Sequence, residues 1–171
     1  MVRLAYIDNP EKPIDLETLR AEGVLYIPID MDNWKEELAK ICQERGYKNR
    51  DEVFISTGEE VTKEDCEFTT DKQICLTSAN EELLKKKLVE FYQEHLHVDE
   101  EIRFILKGQG QFDIRDKEDK WIAITVERGD LIIVPANMYH RFGLGEESTY
   151  IHAMRLFTDA PKWEAIPRVA N

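Results

Sequence analysis

The chain has 171 residues, 42% hydrophobic and 34% charged, with a formal net charge of −12. That length suits one domain with a substantial core rather than two. The acidic excess argues against a nucleic-acid partner, which needs a cationic face to release counterions, and against an anionic membrane surface; LLKKKL over 83–88, the nearest approach to a basic cluster, reads as the solvated face of a helix.

VRLAYI (2–7) reads as a short strand, followed by a turn through Pro10 and Pro13. Asp15 is placed to cap a short helix carrying Leu16 and Leu19, and Gly23 to stop it. VLYIPI (24–29) is the next strand. Asp32 or Asn33 can cap a longer helix with Trp34, Leu38 and Ile41 on one face, and Gly46 ends it. The stretch from 57 to 77 is polar, acidic and only briefly β-like at 73–76; a surface hairpin and a mobile excursion are both open readings. Ser78 and Glu81 then form an S-x-x-E capping box for a helix with Leu84, Leu88 and Tyr92 on one face.

Past that helix come the runs IRFIL, QFDI, WIAITV, LIIVP, YHRFGL and YIHAMRLF. Turn signals separate them at Gly108/Gly110, 116–120, Gly129-Asp130 and 143–148. Short strands at such spacing predict an antiparallel sandwich or barrel. The expected layout is one mainly β domain over 1–171, with an α+β portion over about 1–93 and a β portion over about 94–168.

EHLHVDEEIRFILKG (94–108) sets two of the four histidines one residue apart. In a strand His95 and His97 share a face, as do Asp99, Glu101 and Arg103 if the extended backbone runs on. Two imidazoles and a carboxylate on one face suit a first-row transition metal and leave positions open for substrate and oxygen. His140, after a turn at Pro135, offers a further donor, whereas His152 alternates with Met154 in a β-like run and reads as a satisfied structural histidine. A lone His-x-His is a weak signal. The fixed offset of Glu101, Gly108 seven residues on and a downstream G-x(5)-P-x(4)-H segment carry the metal reading. No cysteine joins the set, which argues against a Cys-rich structural zinc centre. Cys42, Cys66 and Cys75 are an odd number without a C-x-x-C pair, so a reducing compartment is expected. With no signal-peptide core and no 18-residue apolar window, the expected location is the cytoplasm, with the nucleus open to a chain this small.

HLHVDEE with IRFILKGQG resembles the first cupin motif, H-x-H-x(3)-E-x(6)-G. GDLIIVPANMYH resembles the second, G-x(5)-P-x-G-x(2)-H, through Gly129, Pro135 and His140. With FYQEHLHVDEEIRFIL, FDIRDKEDKWI, PANMYHRF and AMRLF…PKW, the chain is similar to the acireductone dioxygenase family of methionine salvage. The similarity runs from about 81 to 168, and LRAEGVLY and ICQERGYKNRD extend it weakly toward the N-terminus. Val89 and Asn137 stand where the general motifs have glycine; Asn tolerates a left-handed backbone, so the turn is expected to survive. The excursion over 58–79 is longer than the family pattern, and the chain ends soon after WEAIPR.

The resemblance implies a double-stranded β-helix (cupin jelly roll) with a few N-terminal α-helices. It implies one Fe²⁺ or Ni²⁺ per chain, held by His95, His97, Glu101 and His140. The implied reaction oxidises 1,2-dihydroxy-3-keto-5-methylthiopentene with O₂. The iron form would give formate and 2-keto-4-methylthiobutyrate; the nickel form would give formate, carbon monoxide and methylthiopropionate. A dianionic substrate calls for positive charge nearby, with Arg103 the first candidate and Arg155 the second, while Arg141 should face away and be structural. Phe91 and Phe142 are candidates to wall the methylthio end. Asp99 and Glu100 either assist proton removal or are simply solvated, the second being favoured. A monomer acting on a small molecule and O₂ is expected. Two alternatives stay open: another cupin metalloenzyme, and a non-catalytic metal-binding cupin.

Overall fold

In a computed structural model, residues 2–58, 67–159 and 164–170 are described. In the N-terminal portion, strands β1 (Arg3–Tyr6), β2 (Leu25–Pro28), β3 (Asn49–Ser56) and β4 (Gln73–Leu76) alternate with helices α1 (Leu16–Ala21) and α2 (Trp34–Arg45). Helix α3 (Glu81–Tyr92) leads into β5 (His95–Leu96), β6 (Glu101–Arg115), β7 (Trp121–Glu127), β8 (Asp130–Val134), β9 (His140–Gly143), β10 (Tyr150–Phe157) and β11 (Ile166–Pro167). The mainly β reading of the chain is thus met. No helix among the described residues is long and apolar enough to cross a membrane.

The helix boundaries follow local chemistry. Asp15 caps α1 by accepting from the Thr18 amide at 2.8 Å. Asn33 sits at the start of α2 without a side-chain cap bond, and Gly46 closes that helix at φ +76°. The expected Ser78–Glu81 capping box is corrected: Ser78–Asn80 forms a 3-10 turn, and Asn80 caps α3 by accepting from the Leu83 amide. Leu84 is the buried residue of α3 and Phe91 packs on the same core, whereas Tyr92 is exposed.

One long strand organises both sheets. The predicted turn at Gly108/Gly110 is absent; IRFIL and QFDI are two halves of the 15-residue β6. Its first half pairs with β8 and β10, and its second half with β7 and β9. Between Ile105 and Lys107 the register against β10 slips, so Ile105 and Phe112 both face the interior although their positions differ in parity. Such a corner lets one strand serve two packed sheets. One sheet runs β1-β7-β6-β9-β5-β11 and the other β2-β8-β6-β10-β3-β4, antiparallel except for the parallel β3–β4 edge.

The N-terminal strands are therefore built into the same sheets as the rest. Strand β3, which has no counterpart among the predicted elements, is buried from Asp51 to Ser56 and pairs with all of β10. Between the sheets lie Val53, Ile55, Ile105, Phe112, Ile114, Ile124, Ile132 and Ile151, with α3 against one end. A second core, including Trp34 and Leu38 of α2, Phe104, Leu131 and Met154, covers the outer face of the second sheet. Part of the 58–79 excursion (59–66), Cys66 and the PKW of the resemblance lie outside the described residues.

Candidate metal centre

His95 and His140 are direct cross-strand partners on β5 and β9, with ring centroids 4.5 Å apart. The extended backbone expected through VDEE does not continue. Strand β5 ends at Leu96, and the chain bends before β6 begins at Glu101. The bend is held by the Asn137 amide donating to the His97 carbonyl at 2.8 Å, with Asn137 at φ +66° in the turn after Pro135. Asn137 thus adopts the left-handed backbone that the glycine-to-asparagine departure demanded. The bend carries His97 and Glu101 back toward the other two histidines.

His95, His97, Glu101 and His140 present one ligand atom each, all within 4.8 Å of one another. His97 Nε2 is 3.5 Å from Glu101 Oε2, and His140 Nε2 closes on the same oxygen. The other Glu101 oxygen takes a 2.9 Å ion pair from Arg103. Among the described residues, Glu101 Oε2 and His140 Nε2 are buried without a well-formed hydrogen bond. Buried polar atoms are seldom left this way. Three imidazoles and one carboxylate converging on orphaned atoms fit a divalent cation. Electrostatics agree. Burial alone would raise the Glu101 carboxyl, but the Arg103 charge and then His140 hold it well below the usual carboxylate range. Burial pulls His95 down, toward the neutral ring that a metal requires. At His140 burial also opposes the charge, yet the Glu101 carboxylate raises it on balance.

Below these four residues lies a cavity of about 360 Å³. Its walls are largely aliphatic and aromatic: Val53 and Ile55 of β3, Leu76 of β4, Phe91 of α3, Phe112 and Phe142. The Phe142 ring stands 4.8 Å from Phe112 and 6.4 Å from Phe91. Arg103 and Arg155 also line the cavity, as direct cross-strand neighbours. Two like charges so placed repel, and each is offset by a carboxylate. Arg155 makes a two-point pair with Asp51, at 2.7 and 2.6 Å. Burial pushes the Arg155 guanidinium down to about 10 against those Asp51 hydrogen bonds, and the Arg103 charge adds to the depression.

Of the eight side chains singled out for the site, seven line one cavity, and the eighth, His140, joins His95, His97 and Glu101 in the four-residue group. Asp99 is exposed and outside the four-residue group, and Glu100 pairs with Arg45 at 3.0 Å. Arg141 faces Asp113 at 2.7 Å and stacks over Trp121, consistent with a structural role. His152 donates from Nε2 to Glu52 at 3.1 Å, away from the site. Asp51, Val53, Ile55 and Phe112 escaped the sequence reading. Asp51 and the two β3 aliphatics needed β3 to be recognised, and DEVFIS (51–56) shows no alternation because both its faces are covered.

A family model described as "ARD/ARD' family" matches residues 3–165. The chain is 54% identical over 165 residues to "Acireductone dioxygenase" of Dictyostelium discoideum, covering 95% of this chain and 97% of that one. It is 41% identical over 171 residues to the protein of the same name from Rattus norvegicus, covering 99% of this chain and 83% of the relative. Among solved structures, it is similar to "Acireductone dioxygenase from Bacillus anthracis with cadmium ion in active center", with a TM-score of 0.69, 26% identity and 96% of each chain covered.

Proposed function

The chain belongs to the ARD/ARD' family and is a metal-dependent dioxygenase acting on an acireductone; we propose that its substrate is 1,2-dihydroxy-3-keto-5-methylthiopentene and its metal one Fe²⁺ or Ni²⁺. The observation that carries the reading is the convergence of three imidazoles and the orphaned Glu101 oxygen at the head of an apolar cavity. A divalent ion bound there supplies Lewis acidity that favours the anionic, oxygen-reactive form of the substrate.

The side chains divide the remaining work. His95, His97, His140 and Glu101 would hold the ion, and the cavity that His95, His97 and Glu101 line would receive substrate and O₂. Arg103 and Arg155 meet the substrate's negative charge, and because each already has a carboxylate partner they are fixed in position beforehand. Phe91, Phe112, Phe142 and the β3 aliphatics exclude water and accept the methylthio end. Asp99 and Glu100 take no part. Monomeric behaviour in the cytoplasm, with the nucleus accessible, belongs to the same proposal.

Stripping the protein and reloading it separately with Fe²⁺ and Ni²⁺ tests this. With acireductone in air, the iron form should release formate and 2-keto-4-methylthiobutyrate, and the nickel form formate, carbon monoxide and methylthiopropionate. Loss of acireductone no faster than the uncatalysed oxidation, with metal bound one per chain, would overturn the reading.

A further inference from the structure

An imidazole that binds metal through one ring nitrogen is oriented by what the other nitrogen touches. His95 Nδ1 donates to the Gln93 carbonyl at 2.5 Å and His140 Nδ1 to the Met138 carbonyl at 2.9 Å, each two residues away. His97 is different. Its Nδ1 donates to the carbonyl of Glu164 at 3.1 Å, 67 residues along the chain. A carbonyl oxygen can only accept, so Nδ1 carries the proton and Nε2 keeps its lone pair for the ion. His97 is also the least buried of the three imidazoles. Its ligating form thus rests on a short C-terminal segment.

That segment is weakly held by its own backbone. Strand β11 meets β5 through two residue pairs, Ile166–Leu96 and Pro167–His95, and Pro167 has no N–H to donate. The Arg168 amide adds a bond to the Glu94 carbonyl at 3.1 Å. The Arg168 side chain does more. Its guanidinium donates to Glu94 Oε2 at 2.8 Å and forks onto Asp119 at 2.6 and 3.0 Å, while lying 4.9 Å over the Tyr139 ring. Glu94 immediately precedes His95, and Tyr139 immediately precedes His140. One guanidinium therefore ties the segment to the neighbours of both other histidines.

We propose that residues 164–168 form a strap belonging to the metal centre. The Glu164 carbonyl sets the ligating tautomer of His97, and Arg168 is the positioning residue that holds the strap in place. The inference rests on the metal reading above. It concerns the Glu164 backbone, since the Glu164 side chain is exposed.

The test measures Ni²⁺ affinity by chelator competition in the full chain, in Arg168→Ala, in Glu164→Ala and in a chain ended after 163. Arg168→Ala and the shortened chain should bind about tenfold more weakly or worse, the usual effect of losing an outer hydrogen-bond partner of a ligand. Glu164→Ala should stay within about twofold, because its carbonyl remains. In a His97→Ala background, Arg168→Ala should cost clearly less than in the full chain, because the Glu164 carbonyl acts through His97 and only the contacts with Glu94 and Tyr139 remain to be lost. An unchanged affinity in the shortened chain would overturn the strap. So would an Arg168→Ala loss that is undiminished without His97. Arg168→Lys keeps the charge but loses the fork, and gives the same comparison should the other variants fail to fold. If the full chain binds no Ni²⁺, the metal reading fails first; if it binds and the strap variants match it, only this inference fails.

Discussion

Two buried carboxylates, Glu101 lining the cavity and Glu52 on β3, are held charged away from water by their partners. Glu101 is flanked by Arg103 and His140, and its role was legible from its offset to His-x-His. Glu52 was not legible. It is fully buried and accepts from His152 Nε2 at 3.1 Å, from the Thr69 amide at 2.9 Å and from the Thr69 hydroxyl. Burial would raise its carboxyl, but the His152 and Thr69 hydrogen bonds outweigh that and hold it below its ordinary 4.5. A folded-state value below the unfolded one contributes stability that is present above the unfolded value and lost as pH falls through the folded value. Glu52→Gln should therefore cost on the order of 1.5–3 kcal/mol at neutral pH, the range for hydrogen bonds to a charged group. The gap to the unaltered chain should close as pH falls below about 4.5 and through the lowered folded-state value. Urea denaturation of the metal-free protein across that range is the check, and parallel stability curves would contradict it. The satisfied structural histidine expected at His152 is only half met: Nε2 reaches Glu52, 100 residues away and beyond the reach of local pattern, while Nδ1 is buried without a hydrogen-bond partner among the described residues.

Helices and strands differ in how much of themselves they disclose. The face of α2 at Trp34, Leu38 and Ile41 and its Gly46 stop are local features, and both appear where the spacing placed them. Strand β6 misled because glycine marks turns and bulges alike. The difference is decided by the opposite strand: a Cβ on Gly108 would collide with the Tyr150 carbonyl oxygen, at a backbone φ of +77°. Gly46 has nearly the same φ, +76°, with nothing within 4 Å of a built Cβ. Gly46→Ala should accordingly cost about 1–2 kcal/mol, the left-handed penalty alone. Gly108→Ala should cost clearly more, because β10 must move as well. Equal losses in urea denaturation would show that backbone conformation alone, and not the approach of β10, requires glycine at 108. The same element places Glu101 and Arg103 near one end and Phe112 in the cavity wall, so the bulge that accommodates β10 also joins the charged and apolar parts of the site.

Across the molecule, the four ligands come from three strand regions separated by up to 45 positions, and they meet only when both sheets have formed. An unfolded chain holds no such set, so an ion that binds the folded state stabilises it by mass action. Free Ni²⁺ or Cd²⁺ at about one hundred times its dissociation constant should raise unfolding stability by about 2.7 kcal/mol, and a chelator should reverse the gain. His140→Ala should abolish most of it. A melting temperature indifferent to metal in the unaltered chain would mean that these residues do not hold an ion.

His95, His97, Glu101 and most strands were readable because each depends on spacing within a few residues, whereas the full ligand set with His140 came from a second motif and the family resemblance. An offset of two places side chains on one face, and motif positions lie close together in the chain. The shared strand β6, the Asp51–Arg155 pair, the Glu52–His152 pair, the aliphatic wall from β3 and the strap at Glu164 were not readable. Each depends on which distant backbone lies alongside, and that register is set by the simultaneous burial of two sheet faces rather than by any one segment.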